Sequence, residues 1–189
     1  MIRLSACLLA LMLSAPVSAQ GFAGLGTEAD GFAVPEPDPA FDFPADHGAH
    51  PEYRIEWWYL TAVLEGADGR EYGAQWTLFR SALQPRSGGG FDTPQLWMGH
   101  AAVTTPERHL HAERLVRGGV GAAGTQTEPF AAFIDEWAME SAPDRLASGA
   151  DALSQIDVTA RGPDFAYDLA LSATGPLVFH GEDGYSVKS

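Results

Sequence analysis

The chain has 189 residues, of which 46% are hydrophobic and 19% are charged, so it carries enough apolar side chains for one globular core. Its 25 acidic and 11 basic residues give a formal net charge of -14 at pH 7. Such a chain repels phosphate backbones and anionic lipid headgroups, which excludes nucleic-acid binding as its function.

Residues 1–19 have the three parts of a secretory signal peptide. Arg3 supplies the positive charge, residues 4–13 are nearly all apolar, and Pro16-Val17-Ser18-Ala19 is a cleavage site of small residues. A buried N-terminal helix is the alternative interpretation. The apolar run is too short for a transmembrane helix, so we expect no transmembrane segment. We predict cleavage near Ala19, export to the periplasm or the medium, and a mature chain without its one cysteine, Cys7.

Residues 20–45 are rich in glycine, proline and acidic side chains and have no helical or strand periodicity. We interpret them as a linker or an extended arm, with Phe41 and Phe43 as its anchors. The folded domain is then expected over residues 46–189.

The first pair of predicted strands is the clearest. Residues 54–64 are aromatic and β-branched on both faces, which is typical of a strand covered on both sides. Asp68-Gly69 is a favoured turn, and residues 71–81 return as the second strand of a hairpin.

The rest of the chain predicts four or five more complete strands and the beginning of another. Residues 95–104 form the third strand, residues 107–117 a short helix or an edge strand, and residues 130–139 one further strand. Residues 153–161 and 165–174 form a second hairpin, and residues 177–180 begin another strand. Six or seven short strands indicate an all-β fold, an antiparallel barrel or a sandwich.

Histidines and carboxylates are concentrated just before the first strand. His47 and His50 stand three residues apart beside Asp46, in an arrangement that suits metal ligands, an acid–base pair or loop histidines held by backbone hydrogen bonds. His-x-x-His alone is a weak metal motif. We therefore predict no metal site and keep both histidines as candidate catalytic residues.

Glu56 is the third candidate catalytic residue, because a carboxylate among aromatic side chains must be paired, hydrogen-bonded or protonated. Its expected partners are Arg80 on the adjacent predicted strand and one of the two histidines. A structural ion pair is the favoured interpretation, and acid–base catalysis is the alternative. Gln75, Thr77 and His100 are expected to line an interior cavity, with satisfied polar residues of the core as the alternative. Trp57, Trp58 and Tyr59 are expected to belong to an aromatic-lined pocket, with plain core packing as the alternative.

Several motifs occur in the order typical of one family. They are Asp46-His47-Gly48-x-His50-Pro51, Glu56-Trp57-Trp58-Tyr59, Gly73-x-Gln75-x-Thr77-x-Phe79-Arg80, the stretch 95–101 (QLWMGHA), and the terminal stretch 180–188 (HGEDGYSVK). With them the chain resembles the N-terminal half of the AttH / carotenoid 1,2-hydratase family. The resemblance implies an antiparallel lipocalin-like β-barrel, the first of two in tandem, and a chain truncated at its C-terminus.

The resemblance implies two functions. The first is a hydratase-like or hydrolase-like enzyme that acts on a hydrophobic, isoprenoid-like substrate without a cofactor. Its acid would be supplied by the second half of the family's chain, so the present residues alone would be inactive. The alternative is a non-catalytic periplasmic carrier of an apolar ligand, with an ABC-type envelope transporter as its partner.

Overall fold

The structure is a computed structural model that describes residues 30–86 and 88–186. The predicted signal peptide and the start of the predicted arm lie outside the described residues. Nine strands follow one another: β1 (Ile55–Glu65), β2 (Glu71–Ala82), β3 (Gln95–Thr104), β4 (His109–Arg117), β5 (Ala123–Thr127), β6 (Phe130–Ile134), β7 (Trp137–Ser141), β8 (Gln155–Arg161) and β9 (Ala166–Ser172). The described helical segments are three 3-10 turns, at Ala45–His47, Gly90–Asp92 and Ala152–Ser154. The predicted all-β class is confirmed.

The strands form two antiparallel sheets, in the orders β1-β2-β3-β4 and β5-β6-β7-β8-β9. One buried core joins them, with Trp76, Leu78 and Trp97 from the first sheet and Ile134 and Trp137 from the second. The sheets are not closed into a barrel, because β1, β4, β5 and β9 remain edge strands in the described residues. The prediction of a lipocalin-like barrel is therefore not confirmed.

The first sheet has one face on this core and one face that the described residues leave open. Along β1 the even-numbered side chains point inward and the odd-numbered ones outward. Trp57 and Tyr59 are 52% and 60% exposed, so the prediction that this strand is covered on both sides is wrong for the described part of the chain. Aromatic side chains on both faces do not distinguish a buried strand from one with an open apolar face.

Residues 130–139 form two strands, and the single strand that we predicted there is wrong. The acidic pair Asp135-Glu136 is the turn between β6 and β7, and Asp135 has φ of 51°, a left-handed conformation that aspartate tolerates. β5 was missed, because its sequence AGTQT has no apolar alternation. Of the two alternatives for residues 107–117, the edge strand is correct.

The predicted strand at residues 177–180 is absent from the structure. Its aromatic residue instead packs on the arm, with the rings of Phe179 and Phe41 at 5.2 Å. Phe43 stacks on the imidazole of His47 at 4.4 Å. Phe41 and Phe43 thus hold residues 41–43 against the domain, next to the histidine loop.

Within the described ranges, none of the helices is both long and apolar enough to cross a bilayer.

Candidate functional site

Strand alternation divides the predicted site residues into two groups. Glu56, Trp58 and Arg80 are on the inward face of β1 and β2, whereas Trp57 and Tyr59 point outward. Gln75 and His100 lie on the same outward face, because Thr61 pairs with Gln75 and Tyr59 with Thr77, which in turn pairs with His100. The predicted pocket residues therefore lie on two opposite faces of the first sheet, and Gln75 and His100 are not in its interior.

The inward group belongs to a polar cluster of Asp46, His50, Glu56 and Arg80. The backbone N–H of His50 donates to Glu56 Oε2 at 2.8 Å, and its ring Nδ1 lies 2.7 Å from Glu56 Oε1. The other ring nitrogen, Nε2, is 3.2 Å from Asp46 Oδ1. Because carboxylates accept hydrogen bonds and do not donate them, this geometry suits an imidazolium with a proton on each nitrogen.

Arg80 is the fourth member of the polar cluster. Its guanidinium is 1% exposed, and its Nε donates to Glu56 Oε2 at 2.6 Å. The predicted contact of Glu56 with Arg80 across the hairpin is thus observed. Nη1 donates to the side-chain oxygen of Gln95, and Nη2 to the carbonyl oxygens of His50 and Tyr53. The same cation therefore pairs with the carboxylate and holds the loop at residues 50–53.

Positive and negative side chains alternate along the polar cluster, and these neighbours shift the pKa values of His50 and Asp46. Burial opposes the charged form of His50, but the hydrogen bonds to Asp46 and Glu56 outweigh it and raise the pKa of His50 above its ordinary value. The backbone N–H of Asp42, followed by His50, lowers the pKa of Asp46. The negative charges of Asp46 and Glu56 thus balance the positive charges of His50 and Arg80. Such balanced charges are typical of a structural ion-pair network.

The polar cluster borders a cleft of about 320 Å³. Phe41, Tyr53 and Tyr185 line the other sides. A small molecule that enters this cleft would meet His50 and Glu56 directly. The cluster could transfer a proton only by breaking one of the hydrogen bonds that now hold His50.

His47, the other candidate histidine, has different partners from His50. It is buried, and its Nε2 lies 2.9 Å from Asp151 Oδ2. Asp151 also accepts from the backbone N–H of Leu153 at 2.8 Å and lines a cavity of about 510 Å³. The carbonyl of His47 accepts from the indole N–H of Trp58, whose ring packs on Trp97 in the core. These contacts hold the loop that carries His47 against both sheets.

Metal binding by these histidines has no geometric support. Over residues 30–86 and 88–186, no three histidine, cysteine, aspartate or glutamate side chains are grouped as metal ligands. Each of the two histidines instead has a carboxylate partner of its own.

The second site is the outward face of the first sheet, which we call the outer face. The register places Trp57, Phe79, Met98 and Leu115 side by side across β1 to β4 as an apolar row. Trp57 and Leu115 are 52% and 66% exposed, and Tyr59 extends the aromatic surface toward the next row. Exposed apolar patches of this kind mark binding surfaces.

A polar groove of about 320 Å³ adjoins the apolar row, and we call it the histidine groove. It is lined by side chains of β2, β3 and β4: Gln75, Thr77, His100, His109, His111 and Glu113. The imidazole of His100 meets the ring of Phe79 edge-on at 5.5 Å, so the groove and the apolar row are in contact. Together they offer an apolar surface with hydrogen-bonding groups at one side.

Sequence reasoning missed several members of both sites. Gln95 and Asp151 carried no local signal, because their partners come from distant parts of the chain. Met98, His111 and Leu115 were detectable only from the pairing of β3 with β4, which the ambiguous period of residues 107–117 left undecided.

Comparisons with known proteins agree on one family. Residues 34–189 match the model of a family described as AttH-like. A crystal structure of a candidate AttH from Nitrosomonas europaea matches with 29% sequence identity and a TM-score of 0.63. The match covers 82% of this chain and 45% of that one, so the chain spans less than half the length of this solved neighbour. The search of curated proteins gave no match.

Proposed function

This chain belongs to the AttH-like family, and we propose that it is an exported protein that binds a hydrophobic, isoprenoid-like or lipid-like small molecule on its outer face. Export is supported by the signal-peptide pattern of residues 1–19. A lipocalin-like carrier that serves an envelope transporter of the ABC type is the role that best fits an exported binding protein.

The outer face is the observation on which the binding proposal rests. Trp57, Tyr59 and Leu115 expose more than half of their surface in a continuous patch, although the core lies on the other side of the same sheet. When a ligand covers aromatic and aliphatic side chains that are exposed to water, binding is favoured by about 25 cal/mol per Å² of apolar area buried. A hydrophobic ligand is the occupant whose chemistry matches this surface.

Catalysis by the polar cluster is the second candidate, favoured by the cleft that His50 and Glu56 line. In this proposal the protein is a cofactor-independent hydratase-like or hydrolase-like enzyme, and the imidazolium of His50 gives a proton to an alkene carbon before water adds. Glu56 and His47 would support that step only through their neighbours, since each is held by an ion pair or a buried hydrogen bond. The compensated charges favour binding over catalysis by these residues.

The binding proposal is tested by titrating the protein with an acyclic carotenoid while following tryptophan fluorescence and product together. We expect quenching without product. Trp57→Ala with Tyr59→Ala should weaken binding by about tenfold or more, since each aromatic contact contributes on the order of a kcal/mol. The control is Val34→Ala with Val178→Ala, which removes two exposed apolar side chains outside the strands of the first sheet.

Equal losses in both double variants would contradict a site on the outer face. Product formation would instead assign catalysis to these residues, and then Glu56→Gln and His50→Gln should abolish it.

Export is tested separately by N-terminal sequencing of the protein from the envelope fraction, where we expect a start near Gln20. Recovery of the chain from the cytosol with Met1 intact would contradict export.

A further inference from the structure

The outer face changes from apolar to polar in one direction along its strands. The apolar row of Trp57, Phe79, Met98 and Leu115 is followed by a mixed row of Tyr59, Thr77, His100 and Glu113. The next row is polar apart from one alanine and consists of Thr61, Gln75, Ala102 and His111. A ligand that covered the whole face would therefore meet hydrocarbon at one end and hydrogen-bonding groups at the other.

The dimensions of the two zones suit a small elongated molecule. The apolar row crosses four strands and is roughly 14 Å long, because neighbouring strands lie about 4.8 Å apart. From that row to the row of Gln75 and His111 is four residues along the strand, or about 13 Å. The histidine groove begins between them, at Thr77 and His100.

The groove offers donors for an oxygen atom. The amide of Gln75, the hydroxyl of Thr77 and the imidazoles of His100 and His111 all carry N–H or O–H groups, whereas Glu113 is its one carboxylate. A ligand made only of hydrocarbon would cover these groups without replacing the hydrogen bonds that water now makes to them, and that loss opposes binding. A ligand with an oxygen-bearing head restores those bonds.

From this gradient we infer that the ligand of the outer face is a single-headed amphiphile of the fatty-acyl type. Its hydrocarbon body lies on the apolar row, and its carboxyl or other acyl oxygens enter the histidine groove. The inference rests on the proposed binding function and specifies the ligand class for the same site. It makes Thr77, His100 and His111 the residues that select the head, and Trp57 and Leu115 those that hold the body.

Two conjugated fluorescent probes test it. Parinaric acid has a polyene body and a carboxyl head, and diphenylhexatriene has a polyene body and no head. We expect the protein to bind parinaric acid about tenfold more tightly, the difference that one or two good hydrogen bonds make. Thr77→Val with His111→Leu should weaken the binding of parinaric acid and so remove that preference, whereas the affinity for diphenylhexatriene should not fall, because the groove then has fewer polar groups that oppose a hydrocarbon. Both positions are on the strand surface, and a thermal melt of the double variant checks that it folds.

The outcomes separate the two proposals. If Trp57→Ala weakens both probes and the groove variant weakens neither, the outer face binds hydrocarbon and the amphiphile inference is wrong. If Trp57→Ala changes neither affinity, the binding proposal itself fails. Sedimentation as a dimer that Trp57→Ala dissociates, with no binding of either probe, would identify a second copy of the chain as the occupant and overturn both.

Discussion

Arg80 is the cation that holds the loop before β1 in place. Its side chain is almost wholly buried, yet its four hydrogen bonds reach a carboxylate, a side-chain amide and two carbonyl groups. A buried guanidinium without these partners would carry a large desolvation penalty. The loop that carries His50 is therefore fixed by electrostatics as much as by packing.

Removing the charge of Arg80 should destabilise the fold strongly. In Arg80→Met, Glu56 loses its ion pair and two backbone carbonyls lose a donor, so the free energy of unfolding should fall by about 3 to 5 kcal/mol. Adding Glu56→Gln removes the charge of the carboxylate that has lost Arg80 and should recover part of that loss. Urea denaturation measures both. Unfolding midpoints like that of the parent in the single variants would show that the pair contributes nothing to stability.

His50 should make stability depend on pH. Its pKa in the folded chain is raised above the ordinary 6.5 of an unfolded chain, so its stabilising contribution is complete below about pH 6.5 and is lost as the pH rises through the folded value. Asp46 works in the opposite sense, because its lowered pKa contributes stability that is lost only in acid. Glu56 is the other charged group in contact with this ring, and Arg80 contacts the backbone carbonyl of His50.

We therefore expect the free energy of unfolding to decrease as the pH rises above about 6.5, and His50→Gln to flatten that decrease. His109→Gln is the matched control, since His109 lies on the exposed edge strand β4 and should leave the pH profile unchanged. A proton-NMR titration of His50 gives the sign directly. A midpoint below that of an unfolded histidine would refute the assigned geometry.

The sequence was informative for contacts within one hairpin and uninformative for contacts across the molecule. Glu56 and Arg80 could be paired because the Asp68-Gly69 turn fixes the register that sets them opposite each other. His47 and Asp151 are separated by 104 residues, and no local pattern connects them. The two histidines were consequently grouped as one site although their partners differ.

Among the strands, β2 and β7 supply the two tryptophans that fill the core. Trp76 and Trp137 are both essentially inaccessible to solvent. The indole N–H of Trp137 donates to the carbonyl of Arg161 at 3.0 Å, whereas that of Trp76 has no hydrogen-bond partner among the described residues. The indole N–H is thus hydrogen-bonded in β7, whereas in β2 it is buried without a partner, which costs free energy.

Substitution by phenylalanine should reveal the difference. Trp76→Phe and Trp137→Phe remove the same volume, but the second also breaks a buried hydrogen bond and weakens the contact with the Arg114 guanidinium, 4.7 Å above the ring. We expect Trp137→Phe to be more destabilising by about 1 to 2 kcal/mol in urea denaturation. A larger loss for Trp76→Phe would mean that its N–H is satisfied.

Strand boundaries were predictable wherever apolar alternation was strong, as in β1, β3 and β8. The prediction failed where turns were made by residues other than glycine or proline. Asp135-Glu136 looked like a polar interruption of one strand, but the left-handed conformation of Asp135 reverses the chain there. The apolar residues 177–179 suggested a strand, yet tertiary contact with Phe41 decides their conformation.

The molecule as described is a pair of sheets with one shared core and one open apolar face. Alternation within a strand predicts which residues share a face, but it does not say whether another layer covers that face or whether a sheet closes on itself. For this reason the barrel was expected and two sheets are found. The outer face is the consequence, since it carries aromatic residues that the described residues leave in water.

This open face should make the purified protein self-associate. Contiguous exposed apolar surface drives association when nothing else covers it, and Trp57, Tyr59 and Leu115 provide it on one side of the sheet. We expect the weight-average mass in sedimentation experiments to rise with concentration, and Trp57→Ser with Leu115→Ser to keep the protein monomeric. Val34→Ser with Val178→Ser removes exposed apolar side chains outside the strands of the first sheet and should not change the association. A monomer at every concentration, or equal effects of the two double variants, would show that the outer face is not the surface that drives association.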